Sequence, residues 1–463
     1  MIAVRLAVPA AALAAFLAAT APSSGTGAAG TSEQPLPGAP RSRSESSLVV
    51  DPRDPRHVVV GVMEYGGRPT DPAFYLDTWY APTARLYVSR DGGATYRDGG
   101  TLPGLGGTTL DQTLAWDPRG GALYAGYLAY DGTPAETDTR GGFYVARSTD
   151  GGAHWRAVPV MTTEHDGDVC RAPDKPTVVV DGRGTVHAVW QVITGSPCPE
   201  WQADLELVWS RSTDGGRTWS APVTVAEPGE GYAPMPVPLP DGSLLVVYAG
   251  MWVGDATYPE CLGEWEPIRA ARVARDGTVT ASGVLDHVCT MDGVSRNGSA
   301  FRVHQMPTVA YDPRTRSVVV AVTDLRPGDE GLAVATSRDG GRTWQRSRVP
   351  AEPGWTYTHP QLAAGAGAVA VSYLASGPAG TYTPTLRASS DGGRSWTAGV
   401  ALASQPSLGA QRPYSRLDPY TVGHYQGLAI GRDGLAHAAW PDLRPRAEAG
   451  DVDTWVRAVP LPR

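Results

Sequence analysis

The sequence predicts an all-β protein, a seven-bladed β-propeller with four-stranded antiparallel blades. Three observations predict this fold. A Ser-x-Asp-Gly-Gly-x-x-Trp octapeptide recurs five times, and a pair of apolar strands joined by a tight turn recurs seven times. The composition, with 56 Gly, 41 Pro and 14 Trp against 4 Phe, is typical of many short strands joined by turns.

The octapeptides predict tight turns between strands. Asp and Ser side chains can hydrogen-bond turn amides, the Gly pair supplies positive φ, and the final aromatic ring can fill an interface between sheets. We therefore expect their aspartates to be structural. The copies span Ser89–Tyr96, Ser148–Trp155, Ser212–Trp219, Ser337–Trp344 and Ser389–Trp396, and their aspartates are Asp91, Asp150, Asp214, Asp339 and Asp391, with a worn copy starting at Ala274.

The apolar strand pairs set the number of blades. They begin with "SLVVDPRDPRHVVVGVM" and end with "GLAIGRDGLAHAAWPDLR", and six of the seven precede an octapeptide or its remnant. A period of about fifty residues with four strands per unit is typical of a propeller. We expect seven blades, closed by pairing an early strand with the C-terminal blade, and six blades are the alternative.

The N-terminal residues predict export. Arg5 and the apolar stretch Leu6–Ala19 form a secretory signal peptide, which we place at residues 1–29. Residues 30–44 are interpreted as a flexible lead-in, and residues 45–463 as the propeller. No later segment has the length and apolarity of a membrane span. We therefore expect a secreted, extracellular protein, and a monomer.

Cysteines and charge narrow the classes of partner. Four cysteines in an exported chain suggest two disulfides, and local pairing favours Cys170–Cys198 with Cys261–Cys289 over the two other connectivities. The net charge of −8 argues against a nucleic-acid partner. No cofactor is expected, although the acidic pairs Asp166–Asp168 and Asp451–Asp453 leave a structural Ca²⁺ open.

The octapeptide is the Asp box, and the chain resembles the sialidase (neuraminidase) superfamily of BNR-repeat proteins over about residues 45–460. This resemblance implies that the boxes join the third and fourth strands of each blade, on the face opposite the active site. It also implies a six-bladed propeller and an R-I-P signature in the first blade. The corresponding stretch, "SESSLVVDP", contains no arginine, so catalytic residues cannot be transferred by motif.

Candidate residues come from the start of each innermost strand, which must line the mouth of the central channel. Carboxylates on one arc and His or Tyr on the other suit acid–base chemistry or a bound cation. The alternative is a water-filled channel lining. Aligning the seven strand pairs places there Glu45, Asp111, Lys175, Pro234, Met306, His359 and Tyr425, with Asp174, His304 and His424 within two residues.

Arginines predict an anionic ligand on the same face. "TDLRP" and "PDLRP" place Arg326 and Arg444 in loops between second and third strands, and guanidinium groups bind carboxylates well. The alternative is an ion pair within a blade, such as Asp324–Arg326. The connections between blades add further candidates, namely Arg296, Arg302, Arg412 and Arg416.

A sialidase-like mechanism, implied by the resemblance, needs a tyrosine nucleophile and an aspartic acid/base. Tyr425, Tyr414 or Tyr420 could supply the former, and Asp71 or Asp77 the latter. The leading hypothesis is an exo-glycosidase for an anionic sugar on extracellular glycans. One alternative is a non-catalytic propeller that binds glycan or protein. The other is a polyuronide lyase that uses a His/Tyr pair such as His359 and Tyr425.

Overall fold

The computed structural model describes residues 30–38, 42–65, 82–132, 140–166, 169–195, 204–250, 264–290, 306–377, 380–408, 422–444 and 452–462. These residues form strands and turns without an α-helix, and they are arranged in seven sheets. No helix long and apolar enough to cross a membrane is found in these ranges. The prediction of an all-β propeller with seven blades is confirmed, and the six-bladed alternative is wrong.

The strands of each blade run antiparallel from the channel outwards. Blades 1 and 2 comprise β2 (Ser42–Val50), β3 (Val58–Tyr65), β4 (Thr83–Ser89) and β5 (Arg97–Thr101), then β6 (Thr109–Trp116), β7 (Leu123–Tyr130), β8 (Gly141–Ser148) and β9 (Arg156–Thr162). Blade 3 comprises β11 (Val169–Val180), β12 (Val186–Gly195), β13 (Asp204–Ser212) and β14 (Val223–Ala226), with β10 (Glu164–Asp166) paired to the start of β11. Blade 4 comprises β15 (Tyr232–Pro238), β16 (Leu244–Ala249), β17 (Glu264–Val273) and β18 (Val279–Thr290).

The remaining blades complete the ring. Blade 5 comprises β19 (Thr308–Asp312), β20 (Ser317–Thr323), β21 (Leu332–Ser337) and β22 (Gln345–Val349). Blade 6 comprises β23 (Thr356–Gly365), β24 (Ala368–Ser376), β25 (Thr381–Ser389) and β26 (Val400–Ala401), and β27 (Ser407–Leu408) also pairs with β25. Blade 7 comprises β28 (Gly427–Ile430), β29 (Leu435–Asp442), β30 (Asp453–Pro460) and β1 (Gln34–Pro35).

The first strand closes the ring, as predicted. Strand β1 pairs antiparallel with β30, so residues near the N-terminus provide the outer strand of the last blade. Thr31 N donates to Ala458 O over 2.8 Å, and Leu36 N donates to Thr454 O over 3.0 Å. Residues 31–36 of the predicted lead-in are therefore paired with the C-terminal strand and give the toroid a hydrogen-bonded seam, whereas residues 42–44 belong to β2.

A buried ion pair clasps this seam. Arg43 of β2 is 1% exposed, and its Nε lies 2.7 Å from Asp453 Oδ1 of β30. The same guanidinium donates to the carbonyls of Leu36 and Pro37 at 2.8 and 2.9 Å, and to Tyr87 Oη at 2.9 Å. One side chain thus connects blade 1, blade 7 and the N-terminal segment, with its charge matched by a buried carboxylate.

The blades pack through apolar faces. Each interface buries strands of two neighbouring sheets in a shared cluster, such as Leu86 of blade 1 with Leu123 of blade 2. The aromatic residue of each Asp box packs against the apolar cluster between its own blade and the preceding blade. This agrees with the prediction that the ring fills an interface between sheets. The five aromatic residues are Tyr96, Trp155, Trp219, Trp344 and Trp396.

The five Asp boxes are closed hydrogen-bonded turns between third and fourth strands, which confirms their predicted place in the blade. In the box that follows β21, Asp339 Oδ1 accepts from the amides of Arg342 and Thr343 at 3.0 and 2.9 Å, and Oδ2 accepts from Thr343 Oγ1 at 2.6 Å. Burial acts to raise the pKa of Asp339, but hydrogen bonds from Thr343 and Ser337 outweigh it and lower the pKa to about 2. The carboxylate is therefore a turn acceptor.

Asp339→Ala is expected to lower the free energy of unfolding by about 1–3 kcal/mol, because two backbone amides and the hydroxyls of Ser337 and Thr343 lose their acceptor. The matched control is Asp276→Ala in the worn copy, where the carboxylate accepts from the single amide of Thr278 at 2.9 Å. Chemical denaturation of both variants measures the difference. Equal losses in the two variants would contradict a specific role for the complete box.

The blade 7 to blade 1 interface also contains a buried histidine. His437 of β29 is 1% exposed, and neither ring nitrogen has a hydrogen-bond partner among the described residues. Desolvation lowers the pKa of His437 to about 4, while Asp433 opposes the shift weakly. The folded protein therefore resists protonating this ring.

This histidine predicts a loss of stability in mild acid. The unfolded chain takes up the proton near pH 6.5 and the folded chain near pH 4, so stability is intact above 6.5 and falls between these values. The full effect is about 3 kcal/mol. His437→Leu should remove this part of the pH dependence of the unfolding midpoint. Identical pH profiles for wild type and His437→Leu would refute the assignment.

Candidate functional site

The innermost strands share a distortion near their starts. Five of them contain a β-bulge at which one residue other than glycine adopts a left-handed conformation. Such residues are uncommon, and strained backbone of this kind concentrates at functional sites. The bulge residues, with φ of 51°, 53°, 45°, 53° and 52°, are Glu45, Asp111, Lys175, Ala233 and His359.

Four of these five residues are the predicted channel-mouth residues. In blade 4 the bulge residue is Ala233, one position before the predicted Pro234, and Pro234 itself lines the central channel as predicted. Met306 and Tyr425 precede Thr308 and Gly427, the first residues of β19 and β28, by two positions. Their position matches that of Glu45, which lies two residues before Ser47, where β2 pairs again with β3 after the bulge.

Glutamines brace two of the bulges across blade boundaries. Gln112 Nε2 donates to Glu45 O at 2.7 Å, and Gln426 Nε2 donates to His359 O at 2.6 Å. Both glutamines are buried. The bulge takes this carbonyl out of the hydrogen-bonding pattern of its own sheet, and a glutamine of the neighbouring blade replaces the lost hydrogen bond. This contact holds the strained residue in place.

The inner strands enclose a central cavity of about 230 Å³, to which all seven blades contribute lining residues. Among the described residues of that lining Lys175 is the only charged one, and Tyr425 is part of the same wall. The cavity adjoins the starts of the innermost strands, where the bulges lie. The Asp boxes contact the turns at the opposite ends of these strands; for example, Gly92 N of the first box donates to Arg56 O, in the turn after β2, at 2.8 Å. The boxes and the bulges therefore occupy opposite faces.

Six residues from blades 1, 2, 3 and 7 form a polar group that we term the mouth cluster, namely Glu45, Asp111, Asp174, Lys175, His424 and Tyr425. Lys175 Nζ lies 3.4 Å from Asp111 Oδ2 and 3.1 Å from His424 Nδ1. His424 Nδ1 in turn lies 2.8 Å from Glu45 Oε1. The sequence prediction had brought these residues together from strand position alone.

The mouth cluster has shifted proton affinities. Desolvation raises the pKa of both Asp111 and Asp174 to about 6, although Lys175 opposes this shift. Burial by itself would lower the pKa of Lys175, but attraction to Asp111, Glu45 and Asp174 raises it, so the side chain stays an ammonium. Burial, followed by the charge of Glu45, raises the pKa of the Tyr425 phenol well above 10.

His359 lies deeper than the predicted acid–base role suggests. Its side chain is 4% exposed, Nδ1 lies 3.1 Å from Thr358 Oγ1, and the ring also interacts with the backbone of Gly423. Desolvation lowers its pKa to about 4, so the imidazole is neutral near pH 7. The ring packs behind the cluster and connects blade 6 to the segment that carries His424 and Tyr425.

The two described loop arginines are held in ion pairs. Arg326 Nε lies 2.6 Å from Asp324 Oδ2, and Arg444 Nη2 lies 2.8 Å from Asp442 Oδ2, both carboxylates being completely buried. Arg444 also pairs with Glu33 at 3.1 Å. Neither arginine lines the central cavity. This is the arrangement that the sequence offered as the alternative to ligand binding.

Several predicted residues lie outside the described ranges. Of the cysteines, Cys170 and Cys289 are described and neither is a free thiol, while their pairing with Cys198 and Cys261 stays a prediction. Of the acidic pairs, Asp166 is the last residue of β10, and Asp453 is ion-paired with Arg43. The site candidates outside the described ranges are Asp71, Asp77, Arg296, Arg302, His304, Arg412, Tyr414, Arg416 and Tyr420.

Residues 121–415 match the BNR repeat-like domain family. The chain belongs to this family. The predicted resemblance to BNR-repeat propellers is thereby confirmed for more than half of the sequence. No curated protein sequence matches this BNR-repeat propeller.

Solved structures share its fold at low identity. The α-L-arabinofuranosidase Arb93A from Fusarium graminearum aligns with a TM-score of 0.50 and 14% identity, over 79% of this chain and 98% of that chain. The Hadza microbial sialidase Hz136 gives 0.46 and 16%, over 82% and 74%. Trypanosoma rangeli sialidase with sialic acid gives 0.47 and 13%, over 79% and 58%. At these identities the likeness concerns the fold.

The sequence prediction missed the residues that hold the cluster in place. Gln112 and Gln426 immediately follow Asp111 and Tyr425, so a glutamine one position after the aligned mouth residue was a usable signal. Gln191 of β12 had no such signal. Its Nε2 donates to Asp174 Oδ2 at 2.5 Å and its Oε1 accepts from Ala233 N at 3.1 Å.

Proposed function

We propose that this BNR-repeat propeller is a secreted, exo-acting glycoside hydrolase whose catalytic groups are in the mouth cluster. The observation that carries the proposal is the position of Tyr425 on the cavity wall, close enough to the buried carboxylate of Glu45 for that charge to raise the pKa of the phenol. A phenol with a raised pKa is a weak nucleophile unless a base removes its proton, and Glu45 is placed to be that base. The predicted signal peptide supports export.

The proposed reaction has two steps. In the first, the Tyr425 oxygen bonds to the anomeric carbon and its proton passes to Glu45, while the bond to the leaving group breaks and a protein acid protonates the departing oxygen. In the second, water gives a proton to that conjugate base and its oxygen bonds to the anomeric carbon. The Tyr425–sugar bond breaks as this bond forms, and Glu45 returns the proton to the phenolate.

The sugar predicted from the sequence is anionic. Lys175 supports this choice, because it is an ammonium on the cavity wall. The engagement of Arg326 and Arg444 in ion pairs removes two of the guanidinium groups on which the prediction relied. The test must therefore include neutral sugars as well as anionic ones.

The experiment is a turnover assay of purified protein on three aryl glycosides. The sialoside and the glucuronide carry acidic sugars, and the α-L-arabinofuranoside carries a neutral one. Turnover of at least one is expected, and it should survive in Asp339→Ala, a variant on the opposite face. Absence of turnover on all three, with wild type and Tyr425→Phe indistinguishable, would overturn the proposal.

A non-catalytic glycan-binding propeller is the second candidate. It is favoured by the ion pairing of Arg326 and Arg444. The first inner strand does contain an arginine, Arg43, contrary to the sequence prediction, but this side chain is buried in its ion pair with Asp453. In this case glycan-array binding would be retained while no glycoside is cleaved. Substitution of Lys175, on the cavity wall, should then weaken binding.

A further inference from the structure

One ring nitrogen of the mouth cluster is shared between an anion and a cation. His424 Nδ1 lies 2.8 Å from Glu45 Oε1 and 3.1 Å from Lys175 Nζ. A ring nitrogen of histidine carries either a proton, with which it donates a hydrogen bond, or a lone pair, with which it accepts one. An ionised carboxylate only accepts and an ammonium only donates. His424 Nδ1 therefore satisfies one of its two neighbours at a time.

Each neighbour has a second contact that remains when the ring binds the other. His424 N donates to Glu45 Oε1 at 3.2 Å, so this oxygen keeps a hydrogen bond without the ring. Lys175 Nζ lies 3.4 Å from Asp111 Oδ2. The side chains of His424 and Lys175 are 21% and 19% exposed, so solvent protons can reach the shared nitrogen. Both arrangements of the ring are thus compatible with the surrounding structure.

The two protonation states of the ring have opposite consequences for Glu45. When the ring is neutral, Nδ1 accepts from Lys175 and leaves Glu45 unbound by the imidazole. Glu45 Oε2 is buried and has no hydrogen-bond partner among the described residues, so it is available for the proton of Tyr425. When the ring is protonated, Nδ1 donates to Glu45, which stabilises the ionised carboxylate and makes it a weaker base.

Charges of both signs surround the shared nitrogen. The carboxylates favour the protonated ring, and the Lys175 ammonium favours the neutral one. Histidine ordinarily changes its protonation between about pH 5 and 8. The titratable and charged groups of this region are Glu45 from β2, Asp111 from β6, Asp174 and Lys175 from β11, His359 from β23, and Tyr425 beside His424 in the chain.

We propose that His424 is a positioning residue whose proton decides whether its ring holds Lys175 or Glu45. This inference rests on the proposed function. Near neutral pH the ring holds Lys175, and Glu45 is free to act as the base for Tyr425. In acid the ring holds Glu45, and turnover falls. The sequence had grouped His424 with residues that bind substrate, whereas here it acts through its two neighbours.

The chain offers a direct probe of this contact, because Lys175 is its only lysine. Protein grown with ¹³C-labelled lysine and ¹⁵N-labelled histidine gives one lysine NMR signal, and the ¹⁵N shift tells a protonated ring nitrogen from one with a lone pair. The lysine signal should show a step at the pH at which His424 Nδ1 takes up its proton. In His424→Asn the amide oxygen can accept from Lys175 at every pH, so this step should vanish. Asp111, whose pKa burial raises to about 6, gives a step of its own that the variant retains.

The coupling should also be visible from the side of the ring, because an interaction between two sites is reciprocal. Lys175→Met removes the positive charge beside Nδ1, so the midpoint of His424 protonation should rise by about 1 pH unit or more. The matched control is His154→Asn, at an exposed Asp-box residue on the opposite face, which should leave the lysine signal unchanged.

Kinetics test the positioning role separately. On the substrate found in the aryl glycoside assay, kcat of the wild type should fall at least about 10-fold between about pH 7.5 and about pH 5.5. The kcat of His424→Asn should fall less than about threefold over the same range, because the asparagine cannot be protonated. A purely structural role would instead lower kcat by the same factor at every pH.

Each outcome has a defined meaning. A lysine signal that titrates identically in wild type and His424→Asn, or a ring midpoint that Lys175→Met leaves unchanged, overturns the shared nitrogen whatever the activity. Coupled titrations in an active enzyme whose kcat profile is the same in wild type and His424→Asn overturn the positioning role and leave the proposed function standing. Coupled titrations in a protein that cleaves no glycoside retain the shared nitrogen and reject the proposed function.

Discussion

Arg43→Met is expected to lower the free energy of unfolding by about 3–5 kcal/mol, because it leaves the buried carboxylate of Asp453 without its counter-charge. The two side chains are 2% and 5% exposed, so water cannot replace the lost partner without opening the seam. The carbonyls of Leu36 and Pro37 also lose their donor. The midpoint of guanidinium denaturation measures the effect.

The double variant Arg43→Met with Asp453→Leu is the matched control. Replacing a whole buried ion pair by apolar residues is often neutral, because no charge is then left unpaired in the interior. The double variant should therefore recover most of the loss. If Arg43→Met alone unfolds within about 1 kcal/mol of wild type, the clasp does not hold the ring closed.

Tyr425→Phe is expected to reduce glycoside turnover by on the order of 10³-fold or more, because it removes the atom proposed to bond to the anomeric carbon. The stability of the variant should be close to that of wild type, since Tyr425 is partly exposed on the cavity wall. Steady-state kinetics on the substrate found in the aryl glycoside assay measure the loss.

Tyr127→Phe controls for the general effect of removing a phenol. Tyr127 Oη donates to Pro103 O at 2.6 Å within blade 2, away from the cavity lining. This variant should lose stability and keep its turnover. Retention of more than a third of wild-type turnover in Tyr425→Phe would exclude the tyrosine as nucleophile, and the lyase hypothesis, which also uses Tyr425, would fall with it.

The fold was predictable because its information is local and repeated. Each Asp box closes a turn with its own residues, as Ser337, Asp339 and Thr343 do, so its meaning does not depend on distant contacts. The seven apolar strand pairs repeat the same two-strand unit. Closure of the ring by an early strand could also be predicted, because counting the strands left the last blade without a fourth strand.

The site was predictable only in outline. Counting along the inner strands placed Glu45, Asp111, Lys175 and His359 at one end of the channel, and the structure brings them to left-handed bulges there. The one-residue offset between Pro234 and the bulge residue arose because a bulge changes the register, and nothing in that segment marks where the extra residue falls. The pairing of Arg326 and Arg444 required knowledge of Asp324 and Asp442 as buried partners.

The sequence by itself determined the all-β class, the seven repeats, the box turns and the face that carries the mouth residues, because each follows from contacts within about fifty residues. Only the tertiary structure decided that Lys175 meets Asp111, that Arg43 pairs with Asp453 and that Gln191 accepts a hydrogen bond from Ala233 N. Those contacts join separate blades, and their geometry depends on how neighbouring sheets twist and pack, which no single repeat encodes.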